Sequence, residues 1–98
     1  MKFENFKFRP EVERDIKEAM AWYEKNLGKG MGFWEEFLYA LHRISDGPKH
    51  YAVQPNGFRP CRLRRFSYIV HYTIQDDHVL IVGVLAGARH DSVLKNRR

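Results

Sequence analysis

Residues Arg59 to Arg89 read RPCRLRRFSYIVHYTIQDDHVLIVGVLAGAR, and the fold depends on how this stretch divides. Turn signals at Phe66-Ser67 and Asp76-Asp77 cut it into three short strands. With Asp76-Asp77 as a two-residue hairpin turn, Gln75 pairs with His78. Ile74, Tyr72, Val70 and Tyr68 then fall opposite Val79, Ile81, Gly83 and Leu85 on one face. With Phe66-Ser67 as the other turn, Leu63 falls beside Val70 and Cys61 beside Tyr72, on that same face. The two turns are independent, and both gather the apolar residues together. A one-residue slip of either would scatter them to the opposite side, so this face is the expected core face.

The opposite face is mixed. The same register sets Arg62 with His71 and Arg64 with Ile69, with Leu80, Val82 and Val84 alongside. Val79 to Ala86 is apolar on both sides, the pattern of a strand buried on both faces. Such a face is either open to a partner or covered by the C-terminal tail, Asp91 to Arg98. The register also brings Arg89 and His90 towards Arg64 and Arg65 at one corner. Guanidinium groups beside an imidazole suit phosphate binding and proton transfer, although arginines at strand ends are also ordinary surface residues.

Upstream, Lys2 to Phe8 alternates weakly and reads as a short edge strand. Pro10 suits a first helical turn, and Glu11, Glu13 and Asp15 favour the helix dipole. From Glu11 to Leu27, Val12, Ile16, Ala19, Met20, Tyr23 and Leu27 recur at helical spacing. Trp22 lies off that stripe, with the second helix or the incoming strand as expected neighbours. Gly28, Gly30 and Gly32 mark a turn. A second stripe, Phe33, Trp34, Phe37, Leu38, Leu41 and Ile44, predicts a helix from Gly30 to Ser45, stopped by Asp46-Gly47-Pro48. Lys49 to Phe58 is a loop containing the turn signal Pro55-Asn56-Gly57. Two helices on a short glycine-rich link form an antiparallel hairpin, which is needed over the core face. The expected class is α+β, as one domain over residues 1–98: an N-terminal strand, a helical hairpin, then a three-stranded antiparallel meander with the helices on one face.

Composition narrows the function. Residues 1–49 carry nine Lys/Arg and nine Asp/Glu, whereas residues 50–98 carry eight against three, so the whole net charge of +5 lies in the second half. A neutral half and a basic half suggest an acidic partner or a basic surface kept for solubility. Cys61 is the only cysteine, which excludes an intrachain disulfide and a cysteine-based zinc site, and suits a small core residue in a reduced, cytoplasmic protein. Neither a spanning apolar run nor an apolar leader is present. No histidine or carboxylate cluster has metal-ligand spacing, and there is no phosphate-binding glycine loop. No metal or cofactor is therefore expected, and no membrane.

The order of elements, with Phe8-Arg9-Pro10-Glu11 before the first helix, Ala21-Trp22-Tyr23-Glu24 within it and Gly32-Phe33-Trp34-Glu35-Glu36-Phe37 in the second, resembles the RelE/ParE superfamily. The resemblance continues through Cys61 to Tyr72, the Asp76-Asp77 turn and Val84-Leu85-Ala86-Gly87-Ala88-Arg89, and covers nearly the whole chain. These are small toxins of type II toxin–antitoxin modules, often described as plasmid stabilisation proteins. The resemblance implies an antitoxin partner, growth inhibition and one of two activities. ParE-like members resemble inhibitors of DNA gyrase. RelE-like members resemble metal-independent endoribonucleases that cut mRNA on the ribosome. Under the second, the catalytic residues would be Arg62, Arg64 and Arg89, with His90 as acid or base. Pro60, Ile69 and Lys95 stand where that pattern carries a lysine, an arginine and a tyrosine, so the resemblance leans towards ParE. In either case the antitoxin is expected over Arg62, Arg64, His71, Leu80, Val82 and Val84, folding on binding with apolar anchors and acidic side chains.

Overall fold

The chain leaves its first strand at Arg9, whose backbone N–H donates to the Ile81 carbonyl at 3.0 Å. Pro10, with no N–H to satisfy, starts a helix immediately afterwards. In a computed structural model, which describes residues 5–87 and 90–97, these elements are β1 (Phe6–Phe8) and α1 (Pro10–Leu27). Gly28 ends α1 in the left-handed region at φ 65°, so that its own N–H and that of Lys29 reach back to the Glu24 and Tyr23 carbonyls. This closes the orphan carbonyls of the last turn. It also reverses the chain into α2 (Gly30–Asp46), followed by β2 (Arg59–Arg62), β3 (Tyr68–Gln75), β4 (His78–Ala86) and α3 (His90–Leu94), with a 3-10 turn at Lys95–Arg97. No described helix is long and apolar enough to cross a membrane.

The strands form one sheet in the order β1-β4-β3-β2. The expected meander is there: β2 pairs antiparallel with β3 and β3 with β4. β1 is an edge strand as expected, but it runs parallel to β4, pairing Phe6 with Val79 and Phe8 with Ile81, so the sheet is mixed. Helices α1 and α2 cover one face. Phe33, Ala40 and Ile44 of α2 and Val12 and Ala19 of α1 meet Cys61, Val70, Tyr72 and Ile81 in the main core, all buried.

The register matches the sequence reading at the turn and departs from it further along. Gln75 pairs with His78, Ile74 with Val79 and Tyr72 with Ile81, as expected. His71 then pairs with Gly83, leaving Val82 without a partner in a β-bulge. The extra residue exchanges the faces beyond it. Val84 therefore joins the helix-covered core, and Leu85 turns to the other side. The β2–β3 connection is also wider than a two-residue turn. Leu63 N–H donates to the Tyr68 carbonyl, and Cys61 lies opposite Val70 rather than Tyr72. That shift is an even number of residues, so Cys61 and Leu63 keep the core face.

The second sheet face is covered by the tail. Leu94 of α3 is fully buried against Phe58, Val82 and Leu85, with Leu80 and Val93 packed around them. Leu94→Ala is accordingly expected to cost about 2–5 kcal/mol, the range of a large-to-small core change. Chemical denaturation would read this, and a value near that of a surface substitution would mean the tail does not pack here.

Tyr72 anchors the loop before β2 by donating its hydroxyl to the Pro48 carbonyl at 2.5 Å. Burial disfavours the phenolate and pushes its pKa from 10.0 up to about 12. The native state therefore holds a proton that the unfolded chain releases first. Stability from this group is complete below pH 10 and is lost as pH rises towards 12. Denaturation across that interval should show the fall, and Tyr72→Phe should reduce its slope.

Candidate functional site

Helix α2 presents two sides that core packing does not use up. On one, it meets the loop after β2. Glu36 falls on the buried stripe of α2, and Arg64 Nε and Nη2 each lie 3.1 Å from its carboxylate oxygens. Arg65 Nε is 3.7 Å from the same carboxylate. A buried carboxylate needs such partners. Arg64 also lies 3.8 Å over the Tyr39 ring, and Arg43 lies 5.4 Å from that ring. The bond to Glu36 raises the Arg64 pKa, so this guanidinium is cationic and positioned. One turn beyond Tyr39, Arg43 donates to the Arg62 carbonyl at 2.6 Å, joining α2 to the β2 edge.

On its other side, α2 and α1 together line a groove of about 800 Å³. Its floor is Val12, Ile16, Phe37 and Leu41, all buried core residues. Its walls are Phe8, Met20, Met31, Trp34 and Leu38. Met31 is 63% exposed and Phe8 46%, although both are apolar. The charged rim is largely self-neutralised, with Lys17 Nζ 2.9 Å from Glu13 Oε2 and Arg9 Nε 3.8 Å from Glu11 Oε1. An apolar cleft of this size with wet walls has the anatomy of a recognition site for an apolar side of a partner. A second cavity, of about 590 Å³, lies at the other end between Lys29, Glu35, Arg65 and Phe66.

The residues singled out in the sequence are dispersed. Arg62 is exposed on β2. It pairs with Ile69, not with His71. Arg64 lies beyond the end of β2 and turns back onto α2, so it leaves the second sheet face altogether. His71 and Val82 are buried and Leu80 is half-buried on that face, whereas Val84 belongs to the opposite core. The six therefore do not form one open patch. Arg89 lies outside the described residues. His90 opens α3, and its side chain lies outside them too. Trp22 is 55% exposed rather than packed on α2. Cys61 is buried, and that burial pushes its thiol pKa up, as in an inert packing cysteine. No group of three or more His, Cys, Asp or Glu side chains among the described residues is placed to hold a metal.

Glu36, Tyr39 and the groove were not picked out beforehand. Glu36 had a signal, since it is an acid at a position where helical spacing calls for an apolar residue. The groove had none, because its walls read as core on both stripes.

A four-stranded sheet under a helical hairpin, with an apolar cleft between the helices and a buried glutamate tied to a half-exposed Arg64 over Tyr39, defines a small α+β protein. Comparison with known proteins gives the lineage. The sequence profile of the ParE toxins of type II toxin–antitoxin systems, parDE, matches residues 6–90, and the chain belongs to that family. Among solved structures it is similar to a chain of the chromosomal ParDE TA system from P. aeruginosa. The TM-score is 0.73 at 14% identity, covering 84% of this chain and 94% of that chain. At that identity the likeness bears on the fold. No curated protein matches the sequence.

If Arg64 is held as described, Glu36→Gln lowers the denaturation midpoint. Its exposed neighbour Glu35 is the control, and Glu35→Gln is expected to stay within about 0.5 kcal/mol of the parent. Equal effects of the two would mean that the seam is not an ion-paired one.

Proposed function

We propose that this chain is the toxin of a type II module, that it acts by binding DNA gyrase rather than by cutting mRNA, and that an antitoxin silences it from the α1–α2 groove. The observation that carries the choice of target is the commitment of Arg64. A ribonuclease of the RelE kind needs its arginines free to meet a scissile phosphate. Here Arg64 is bound through two nitrogens to Glu36 and stacked on Tyr39. Ile69, where that pattern carries an arginine, is buried. Membership of the ParE family supports the same reading. So does the cover of Leu94 and Phe58 over the sheet face that would meet RNA.

The antitoxin anchors expected over Leu80, Val82 and Val84 fit the groove better. An amphipathic helix laid between α1 and α2 would remove Phe8, Met31, Trp34 and Leu38 from water. Acidic residues next to that helix would answer the chain's net charge of +5.

Two assays run side by side test the target. Purified toxin should inhibit gyrase supercoiling and leave mRNA on ribosomes intact, and cleavage that is lost in Arg62→Ala would reverse the assignment. For the antitoxin, Leu38→Glu buries a charge in the groove and should weaken the complex by about a hundredfold, or roughly 3 kcal/mol. Arg62→Ala, away from the groove, should change it far less. Isothermal titration would measure both.

A further inference from the structure

Much of the positive charge in the second half of the chain gathers at one side of the molecule, along β2. Residues 47–75 include Lys49, Arg59, Arg62, Arg64 and Arg65 and no Asp or Glu. β2 is an outer strand of the sheet. Helix α2 is fastened to it by Arg43, and between Glu36 and Asp46 that helix carries no acid either. Contacts tie the basic residues into one strip. Arg59 Nη1 donates to the Tyr51 carbonyl at 2.7 Å and lies 3.5 Å from the Lys49 carbonyl. Arg43 holds the Arg62 carbonyl and shares the Tyr39 ring with Arg64. Arg64 and Arg65 then meet at Glu36.

The Glu36 carboxylate is buried beneath this strip, while the cations above it meet water. Arg64 is 50% exposed and Arg65 81%. Arg62 and Lys49 are exposed as well. Planar guanidinium groups suit phosphate oxygens. The β2 backbone, by contrast, offers a peptide little to pair with. Pro60 has no N–H, and the Arg62 carbonyl is already taken. Tyr39 is covered by Arg64 at 3.8 Å, so its ring is not open to the unpaired bases that single-strand binding stacks. What remains is a row of cations that meets a charged backbone through side chains alone. From Arg59 to Arg65 the chain reaches at most about 20 Å. Over that length duplex DNA presents roughly six phosphates on each strand.

We propose that the β2 edge docks the sugar-phosphate backbone of duplex DNA without regard to sequence. Lys49, Arg62 and Arg65 meet phosphates, and Glu36 and Tyr39 hold Arg64 in place beside them. Such contacts position a protein on DNA and carry no base information. The choice of DNA rests on the gyrase reading, since gyrase supercoils duplex DNA. The test leaves gyrase out, so the two can fail separately.

Fluorescence anisotropy of a labelled random-sequence duplex of about 20 base pairs, titrated with the full chain over a series of salt concentrations, tests this. With four cations each meeting a phosphate, log K should fall against log salt with a slope of about −3.6, or about −0.9 for each phosphate. Arg62→Ala and Arg65→Ala should each flatten that slope by about 0.9 and weaken binding several-fold at low salt. Arg14→Ala removes the same charge from an exposed site on α1, and should leave the slope as in the parent. Circular dichroism confirms that each variant is folded. A parent that does not bind the duplex would overturn the proposal, as would equal slopes for Arg62→Ala and Arg14→Ala. So would tighter binding to single-stranded RNA of the same length, or displacement by polyglutamate as readily as by unlabelled duplex. Duplex binding without inhibition of supercoiling would instead count against the gyrase reading alone.

Discussion

A buried carboxylate cannot be left without partners, and Asp15 organises three parts of the molecule because of that requirement. It sits on α1, accepts from β4 and binds the C-terminal turn through Arg97. The hydrogen bond to Asp15 raises the Arg97 pKa, so the cation persists. An apolar pair in their place would leave both Val84 N–H and the Val82 carbonyl unsatisfied. The tail is held on the second sheet face by the same contacts, and Leu94 fills that face only because Arg97 fixes the turn after it. Packing on one side of the sheet thus depends on an acid that belongs to the other.

Glu36 repeats the arrangement at the opposite end. It too is an acid on a buried helical stripe, and it too draws in an arginine from a distant segment. Together the two pairs fasten the β2–β3 connection and the turn after α3 to the helical hairpin. Neither involves the groove between α1 and α2, whose floor and walls are apolar within a charged rim. These charged pairs stabilise the scaffold, while the groove proposed for the antitoxin is a surface they leave out.

The hairpin at Asp76-Asp77 and both helical stripes were legible because each rests on local periodicity. Tyr72 against Ile81 could be placed from the turn alone. The bulge at Val82 could not. VLIVGVLA is apolar at nearly every position, so no alternation remains to show which residues change face, and Gly83 is the only hint. The direction of β1 was equally hidden, because a three-residue strand carries no record of whether its partner runs with it or against it. The dispersal of the six expected antitoxin contacts was hidden for a related reason. Alternation along β2 was carried through Arg64, where the strand had already ended. The tail from Asp91 to Arg98 was one of two expected covers for the second face, but nothing near Arg97 in sequence points to Asp15.

The first and last described elements lie along the same strand edge, with β1 on one half of β4 and Arg97 on the other. Asp15 and Arg97 are 82 residues apart. During synthesis this edge therefore stays unfinished after β4 and α3 have emerged. A ribosome must release residue 97 before Asp15 acquires its cation and Leu94 its seat. Closure of this edge waits for residue 97, and a chain that has not reached it is marked by an open sheet edge, visible to whatever in the cell surveys unfolded strands.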